Sequence, residues 1–504
     1  MPDEAPPATG PQRPLPEQFT AIARARPERT AIVHNGHEIG YGALADRVRR
    51  AARRLGPRPG RVPVDAVHDP ETVVRLLGTW LAGGTYVPID PAYPAERRAA
   101  MLAAVEPAVL RQAGEPAVLR QAGEPAIPRQ GGALAYILFT SGSTGVPKPV
   151  LTSPAAIATT VGALRDLFGI TPDDRVLQFA SLNWDTCFEE ILPALTAGAA
   201  LVFDDDAYAG SFPKFVRMLE RERITIADLP TAYWHELVNF LVEEDRRLPA
   251  TLRTVIIGGE AARPARLADW STLDTGRIRL VNTYGCTETT LITHAVDLCG
   301  PLATEAVDWS AATRVPIGRP LPHVVQRIDD ETGELWIGGP AIADGYAAPD
   351  LAERFTRHDG QRFFRTGDRV RRRDDGVLVH EGRADDVLKI RGVRVDPGEV
   401  EAHLAAHPAV GAVAVAGLAR GDHTILAAFV VPRRSARTET AAGTGTAAGT
   451  EAAAGTETLA ADLVQYLKGR VPAHLVPSRI SLVAELAYTP SGKVDRRRIK
   501  ETLA

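Results

Sequence analysis

The sequence predicts an α/β protein, a large domain followed by a smaller α+β one. Three observations carry that expectation. A chain of 504 residues exceeds what one ordinary hydrophobic core organises. From about residue 17 to 382, apolar strand-like runs such as 254–257 (TVII), 279–281 and 335–337 alternate with amphipathic segments, which suits a largely parallel sheet covered by helices. At 382–386 the run GRADD, followed by VLKIRG, places two acids after Gly-Arg and marks a joint. The expected division is a disordered 1–16, a core domain over 17–384 and a small domain over 385–504.

Composition narrows the class. Apolar content of 45% and charged content of 24% are those of a soluble globular chain. The 58 basic and 62 acidic residues give a net charge of −4. That argues against a nucleic-acid binder and against an electrostatic membrane anchor. Cys187, Cys286 and Cys299 form no CxxC pair, so neither a disulfide framework nor a zinc site is indicated. The polar, Pro-rich opening MPDEAPPATGPQRP is not expected to be a signal peptide, and no run of 18 apolar residues occurs. The cytoplasm is the expected compartment.

Two segments interrupt the texture. A nine-residue unit occurs three times, EPAVLRQAG at 106–114 and 115–123 and EPAIPRQGG at 124–132. This is too short and too few for a solenoid and reads as a duplication in a tolerant loop or helix. The segment 434–458, rich in Ala, Gly, Thr and Glu, reads as a flexible insertion between an apolar strand at 425–431 and a helix-like 459–467.

The chemistry concentrates in a few stretches. Residues 139–148 read FTSGSTGVPK, just after an apolar strand. Gly142 and Gly145 let the backbone approach an anion. Thr140, Ser141, Ser143 and Thr144 offer hydroxyls, and Lys148 offers a cation, so the loop is suited to phosphate. It is neither a Walker loop nor a GxGxxG turn, and read alone it is equally a surface turn. NTYGCTETT at 282–290 follows the strand RIRLV. There Tyr284 can stack on a purine, Thr287 can donate to a phosphate, and Glu288 can hold a magnesium ion; the plainer reading is a polar turn. In FFRTGDRV (363–370), Asp368 stands as a lone carboxylate suited to two ribose hydroxyls. Arg383 adds a cation for ribose or phosphate. Lys493, on the turn TPSGKVDR (489–496), is of a kind that is usually just solvated.

In this order the stretches resemble the adenylate-forming superfamily over about residues 17 to 500, and most of all its nonribosomal peptide synthetase adenylation domains. LAGGTYVPIDPAYPAER (81–97), FASLNWDTCFEEILPAL (179–195) and GRADDVLKIRGVRVDPGEVE (382–401) carry that likeness. Pro149 and Cys286 depart from the usual Gly and Pro. The resemblance implies a core domain with a β-barrel-like subdomain and a mobile C-terminal domain turning about Asp385. It implies ATP and Mg²⁺ as cofactors. ATP contacts would come from the 140–145 loop (Thr140 to Gly145), Gly259, Glu260, Asn282, Tyr284, Gly285, Thr287, Asp368 and Arg383. Catalysis would rest on Lys493, Glu288, Thr287, Thr140 and Lys148, with the metal on Glu288 and Lys493 binding the reacting carboxylate. Residues 392–398 would line the thioester-forming face.

The resemblance also implies the substrate pocket. Asp185 would pair with an α-ammonium group, which makes the substrate an amino acid, since a buried unpaired carboxylate is costly. The other positions are Thr186, Glu189, Ala232, Ile256, Gly258, Thr283, Leu291 and Ile292. Most are small or apolar. Glu189 is the exception and suggests a cationic side chain such as lysine, β-lysine, ornithine or diaminobutyrate, unless Glu189 points away while Glu190 holds structure. The expected partners are an amino acid and a phosphopantetheinylated carrier protein met in trans by a free-standing enzyme, with an MbtH-like helper open. No nucleic acid and no membrane are expected. An acyl- or aryl-CoA ligase, and an inactive adenylate-binding or carrier-docking protein, are the competing readings.

Overall fold

The computed structural model describes residues 13–105, 133–140, 147–303, 307–347, 353–383, 388–390, 393–420, 423–433, 448–487 and 498–499. The tandem repeat, Ser141 to Gly145 of the phosphate loop, Asp385, residues 434–447 and Lys493 lie outside them. The chain packs as two compact units. The first comprises Met1–Pro91, Leu102–Phe139 and Pro149–Asp385; the second comprises Ala92–Met101, Thr140–Lys148 and Asp386–Ala504.

The elements run α1 (Leu15–Ala25), β1 (Thr30–His34), β2 (His37–Gly40), α2 (Tyr41–Leu55), β3 (Arg61–Asp65), α3 (Pro70–Leu81), β4 (Thr85–Ile89), α4 (Ala95–Val105), β5 (Tyr136–Thr140) and β6 (Lys148–Thr152). Next come α5 (Pro154–Phe168), β7 (Arg175–Leu177), α6 (Thr186–Ala197), β8 (Ala200–Phe203), α7 (Phe212–Arg221), β9 (Ile226–Pro230), α8 (Thr231–Glu243), β10 (Thr254–Gly258), α9 (Pro264–Thr272) and β11 (Arg279–Gly285). A strand-rich stretch follows, with β12 (Ile292–Cys299), β13 (Pro316–Pro320), β14 (Val325–Ile328), β15 (Glu334–Gly338), β16 (Gly345–Tyr346), β17 (Phe355–His358), β18 (Gln361–Arg372) and β19 (Leu378–Arg383).

The spine is the parallel run β11-β10-β9-β7-β8-β1. β12 returns antiparallel to β11, and β13, β19, β18, β15 and β14 extend the same sheet antiparallel. A second sheet has the order β16-β6-β5-β4-β3. The spine is buried on both faces, and its strands show it residue by residue. Val176, Leu201, Ile226, Ile256 and Val281 pack into one core with α1, α5 and α6. Leu177, Val202, Ala227, Val255 and Leu280 pack into the other with α7, α8 and α9. That period-2 division is what a strand sandwiched between two helical layers demands.

Helix ends follow local chemistry. Asp69 caps α3 through the Glu71 N–H, and Ser153 caps α5 through the Ala156 N–H. Gly169 and Gly198 end α5 and α6 in the left-handed conformation. Of the segment 1–16 expected to be disordered, residues 13–16 are described, and 1–12 lie outside the described residues. α1 already begins at Leu15, with Leu15, Phe19 and Ala23 buried on one stripe and a proline in the first turn, where its missing N–H is tolerated.

In the second unit, β20 (Leu388–Ile390) and β21 (Val393–Val395) form a hairpin. Asp396 then caps α10 (Pro397–Ala405) through the Gly398 N–H. β22 (Val410–Arg420) and β23 (His423–Pro432) pair antiparallel, and β24 (Arg479–Leu482) lies parallel to β23. α11 (Ala448–Lys468) corrects the predicted flexible insertion, because residues 448–458 are helical. The alanines of EAAA outweigh Gly449 and Gly455 in propensity, and the turns that follow carry the buried Leu463 and Leu467. Their core partners include Val400, Leu404, Val415 and Val430.

At the amino ends of the spine strands, Asp174 is a hub. It accepts from the Thr171 N–H (2.8 Å), the Thr225 hydroxyl (2.8 Å) and Arg253 Nε and Nη2 (both 2.8 Å). Burial alone would raise its carboxyl, but the Arg253, Thr171 and Thr225 bonds outweigh burial and hold it below the ordinary 3.8. Asp174→Ala is expected to cost about 2 kcal/mol near neutrality. A carboxyl depressed in the folded state contributes above its unfolded value and loses that contribution as pH falls through the lowered native one. The gap between parent and variant in urea unfolding therefore narrows below pH 4; a gap that widens in acid contradicts this role.

Candidate active site

The candidate site of the first unit lies beyond the carboxyl ends of the parallel strands, where open α/β sheets place their ligands. Three loops build it: 178–185 leading into α6, 258–260 after β10, and 283–291 after β11.

Glu190 fixes the first loop. It is 1% exposed and accepts from Phe179 N–H (2.9 Å), Ala180 N–H (3.0 Å) and Gln178 Nε2 (3.0 Å). Burial and the nearby Asp228 push its carboxyl well above the usual range, against the pull of those donors. Glu190 is thus the acid that holds structure. Asp185 stands at the start of α6 with its carboxyl hydrogen-bonded by the Thr287 side chain and close to Glu288. Burial raises it, the Thr287 bond opposes, and Glu288 raises it further. Thr186 follows in the first turn. Glu189 is half-buried and lies near Asp228 of β9. Its side chain hydrogen-bonds Asp228 on β9, and burial followed by that neighbour raises it well above the ordinary value.

In the second loop, the Thr231 hydroxyl at the head of α8 donates to the carbonyls of Gly258 (2.9 Å) and Glu260 (3.3 Å), and Ala232 follows it in the first turn of α8. Gly259 is left-handed, with φ 84°. A Cβ on Gly258 would stand 2.5 Å from Thr283 Oγ1, so only glycine leaves this wall open. Ile256 is 2% exposed, one register step from Asp228 across the sheet.

The third loop is the most constrained. Thr283 donates to the Ile257 carbonyl (3.0 Å) and Asn282 Nδ2 to the Pro316 carbonyl (2.7 Å). A 3-10 turn at Thr287–Thr289 follows Cys286, whose N–H donates to Thr289 Oγ1 (3.2 Å). Cys286 has φ −150°, which proline cannot adopt, and proline would lose that N–H. Thr290 (φ 56°) and Leu291 (φ 72°) are both left-handed, a strained pair that places the Leu291 and Ile292 side chains in the buried wall. The price is steric: a Cβ on Gly285 would run into the Leu291 carbonyl. Glu288 is 1% exposed, and its Oε1 accepts the Tyr346 hydroxyl (2.6 Å).

Asp368 corrects the sequence expectation of a lone carboxylate. Oδ2 accepts the Tyr284 hydroxyl (2.7 Å), while Oδ1 meets Arg383 Nη1 (2.7 Å) and His380 Nε2 (3.1 Å). β18 and β19 bring these groups together, Asp368 pairing with Arg383 in register. Tyr284 is 6% exposed, with its ring edge-on to His294. Lys148 and Thr140 belong to the second unit, at the facing ends of β6 and β5. There the Lys148 ammonium lies 3.7 Å from Asp396. Sequence reasoning missed Asp228, His380 and Tyr346. Asp228 was legible as an acid inside the otherwise apolar strand IADLP, and Tyr346 as the end of GELWIGGPAIADGY; nothing local marks His380.

A two-faced parallel sheet with an Asp-Thr-Glu cluster at its carboxyl ends, followed by a small α+β unit, is compatible with the adenylate-forming fold. Family models agree. The AMP-binding enzyme model matches residues 19–125 and 110–347, and the AMP-binding enzyme C-terminal domain model matches 399–493. The chain belongs to the AMP-binding enzyme family and is a ligase of the nonribosomal peptide synthetase adenylation type. It is 38% identical to the isonitrile lipopeptide synthase of Streptomyces coeruleorubidus, over 98% of this chain and 34% of that one. It is 34% identical to the novobiocin biosynthesis protein H of Streptomyces niveus, over 96% and 81%. The chain thus spans about a third of the synthase. An artificially fused adenylation–PCP di-domain from Klebsiella oxytoca shares the fold, with a TM-score of 0.74 at 24% identity over 94% of each chain.

Gly285→Ala tests the third loop. The expected outcome is a fall of at least ~100-fold in ATP turnover, equal to about 2.7 kcal/mol of barrier, with far-UV circular dichroism unchanged. Full activity in that variant would show that the loop relaxes freely.

Proposed function

We propose that this chain activates an amino acid as its aminoacyl-AMP and passes it to the thiol of a carrier-bound phosphopantetheine, as a cytoplasmic enzyme. The observation that carries the reading is Asp185, a half-buried carboxyl at the head of α6 bonded by Thr287 and beside Glu288. An acid so placed needs a cation, and the α-ammonium of an amino acid supplies one.

In the first half-reaction a substrate carboxylate oxygen bonds to the α-phosphorus as the bond to pyrophosphate breaks. In the second, the thiol sulfur bonds to the acyl carbon as the bond from that carbon to the phosphate oxygen breaks, AMP leaves and the thiol proton is released to solvent. The first brings anions together, and both place negative charge on phosphate, so the site must offer positive charge and directed dipoles. Asp185 would orient the amino acid by its ammonium. Thr287 and the 140–145 hydroxyls would bind phosphate oxygens, and Lys148 and Lys493 would supply cations. Tyr284, Asp368 and Arg383 would form one hydrogen-bonded unit for the nucleoside. The oxygen donors around Glu288, from Thr287, Tyr346 and Asp185, suit a hard divalent ion. Among the described residues no three His, Cys, Asp or Glu side chains converge as a metal cage. Mg²⁺ would therefore rest on Glu288 and take its other ligands from phosphate and water, neutralising charge on the phosphates.

Glu189 in the same wall favours a cationic side chain, of the lysine, β-lysine, ornithine or diaminobutyrate type. ATP–pyrophosphate exchange across the common amino acids, these four and a set of aryl acids tests both levels, with and without an MbtH-like protein. The expected result is exchange with a cationic amino acid, reduced at least ~100-fold in kcat/KM by Asp185→Ala. Exchange with aryl acids alone would overturn the amino-acid reading.

A further inference from the structure

His294 has no part in the scheme above, yet its ring is 0% exposed in β12, directly across the ladder from Tyr284 of β11. An imidazole so buried is stable only when both nitrogens find partners. Both do. Nε2 lies 2.8 Å from Gln326 Oε1, and Nδ1 lies 2.9 Å from Thr293 Oγ1. Gln326 belongs to β14, and β13, β19, β18 and β15 stand between β14 and β12 in the sheet. The sheet therefore curls back to bring the two side chains together. An amide oxygen only accepts, so Nε2 carries the proton and Nδ1 is left as an acceptor. Burial pushes the imidazole down to about 4 against the pull of Gln326, so the ring is neutral near pH 7.

A satisfied buried histidine is most often packing and nothing more. Here three contacts tie it to Tyr284. The pairing of β11 with β12 passes from Tyr284 opposite His294 to Gly285 opposite Ile292, so Thr293 is the extra residue of a β-bulge. Bulges re-aim side chains next to sites. The Thr293 hydroxyl, 1% exposed with its residue, stands 3.1 Å from the Tyr284 carbonyl as well as 2.9 Å from His294 Nδ1. Its single proton thus lies between two acceptors, one on the histidine and one on the tyrosine. The His294 and Tyr284 rings also meet in a T, with centroids 5.8 Å apart and planes at 72°. At its far end the Tyr284 hydroxyl donates to Asp368 Oδ2 at 2.7 Å. Tyr284 is therefore held at its carbonyl, its ring and its hydroxyl, and Thr293 and His294 supply the first two.

We propose that Thr293 and His294 are positioning residues for the nucleoside: they set the ring of Tyr284 from behind and so govern the affinity for ATP without touching it. The inference rests on the proposed function, in which Tyr284 faces the nucleoside, and deepens it. Gln326 has the outermost place in the chain of contacts. Its oxygen keeps the histidine proton on Nε2, which leaves Nδ1 to hold the Thr293 hydroxyl. A tyrosine ring fixed before the nucleotide arrives gives up less rotamer freedom on binding. The amino acid is met by other elements, at Asp185 on the head of α6, so loss of this support falls on one substrate and not on the other.

The test is ATP–pyrophosphate exchange with the amino acid the parent prefers, each substrate varied in turn, with any MbtH-like protein the parent requires. Thr293→Val keeps the volume and removes the hydroxyl, Thr293→Ser keeps the hydroxyl, and His294→Phe keeps a ring and removes both nitrogens. Thr293→Val and His294→Phe should each raise KM for ATP at least ~10-fold and leave KM for the amino acid within about twofold. Thr293→Ser should return KM for ATP to about the parent value. Nitrogen-15 NMR of the histidine-labelled parent is independent of how the variants fold. The His294 signal should be that of a neutral ring protonated on Nε2, and it should shift when α,β-methylene-ATP is added. A rise shared equally by both KM values, KM for ATP unchanged while the melting temperature falls, or a His294 signal indifferent to the nucleotide would each overturn the positioning role and leave amino-acid adenylation standing. A parent that neither exchanges nor binds α,β-methylene-ATP overturns the proposed function with it.

Discussion

The candidate site depends on how Glu190 is buried. Its carboxyl gathers the backbone N–H groups of Phe179 and Ala180 and the side chain of Gln178 at the crossover from β7 to α6. Those bonds fix the entry of α6, and α6 in turn sets Asp185 at its head and Glu189 one turn in. A buried acid with three directed donors is costly to assemble and far costlier to break, since removing the acid strands the donors. The helix cannot slide or rotate without that loss. The pocket acids are therefore preorganised by an interaction that does not itself touch the pocket.

A second constraint meets the first from across the sheet. The turn after β11 stores two left-handed residues, Thr290 and Leu291, and needs Gly285 to admit the Leu291 carbonyl. Strain of this kind persists only where the surroundings over-determine it. Here they do so through Cys286 and Thr289, which bond each other, and through Glu288, tied to Tyr346. The consequence is that Thr287 reaches Asp185, so the turn after β11 and the head of α6 share one hydrogen bond.

Much of this was legible in the sequence. The alternation of apolar runs and amphipathic segments gave the parallel spine because both faces of each strand are buried, and the Tyr-Gly-Cys-Thr-Glu turn announced itself by composition. What was not legible depends on contacts between distant strands. Asp368 looked solitary in FFRTGDRV because its partners Tyr284 and His380 come from β11 and β19. The Ala-rich start of α11 looked like linker because propensity and low complexity give opposite readings of the same residues. Asp228 stood out as an acid in an apolar strand, but its neighbour Glu189 lies in a helix 39 positions earlier, which no local pattern reveals.

The adjacent acids Glu189 and Glu190 show why spacing alone could not divide their roles. Successive residues on a helix point about 100° apart, following 3.6 residues per turn. One of the two must therefore face the crossover loop when the other faces β9. Sequence permits either assignment, since both side chains are equally long and equally acidic. The strand decides it. β9 presents Asp228 on the face that α6 covers, and a second carboxyl answers that oxygen only if it keeps a proton. The loop, by contrast, presents N–H donors, which favour an ionised carboxylate. Glu190 meets the donors and Glu189 meets the acid, so neighbours of identical chemistry are driven to opposite tasks by what lies across from them.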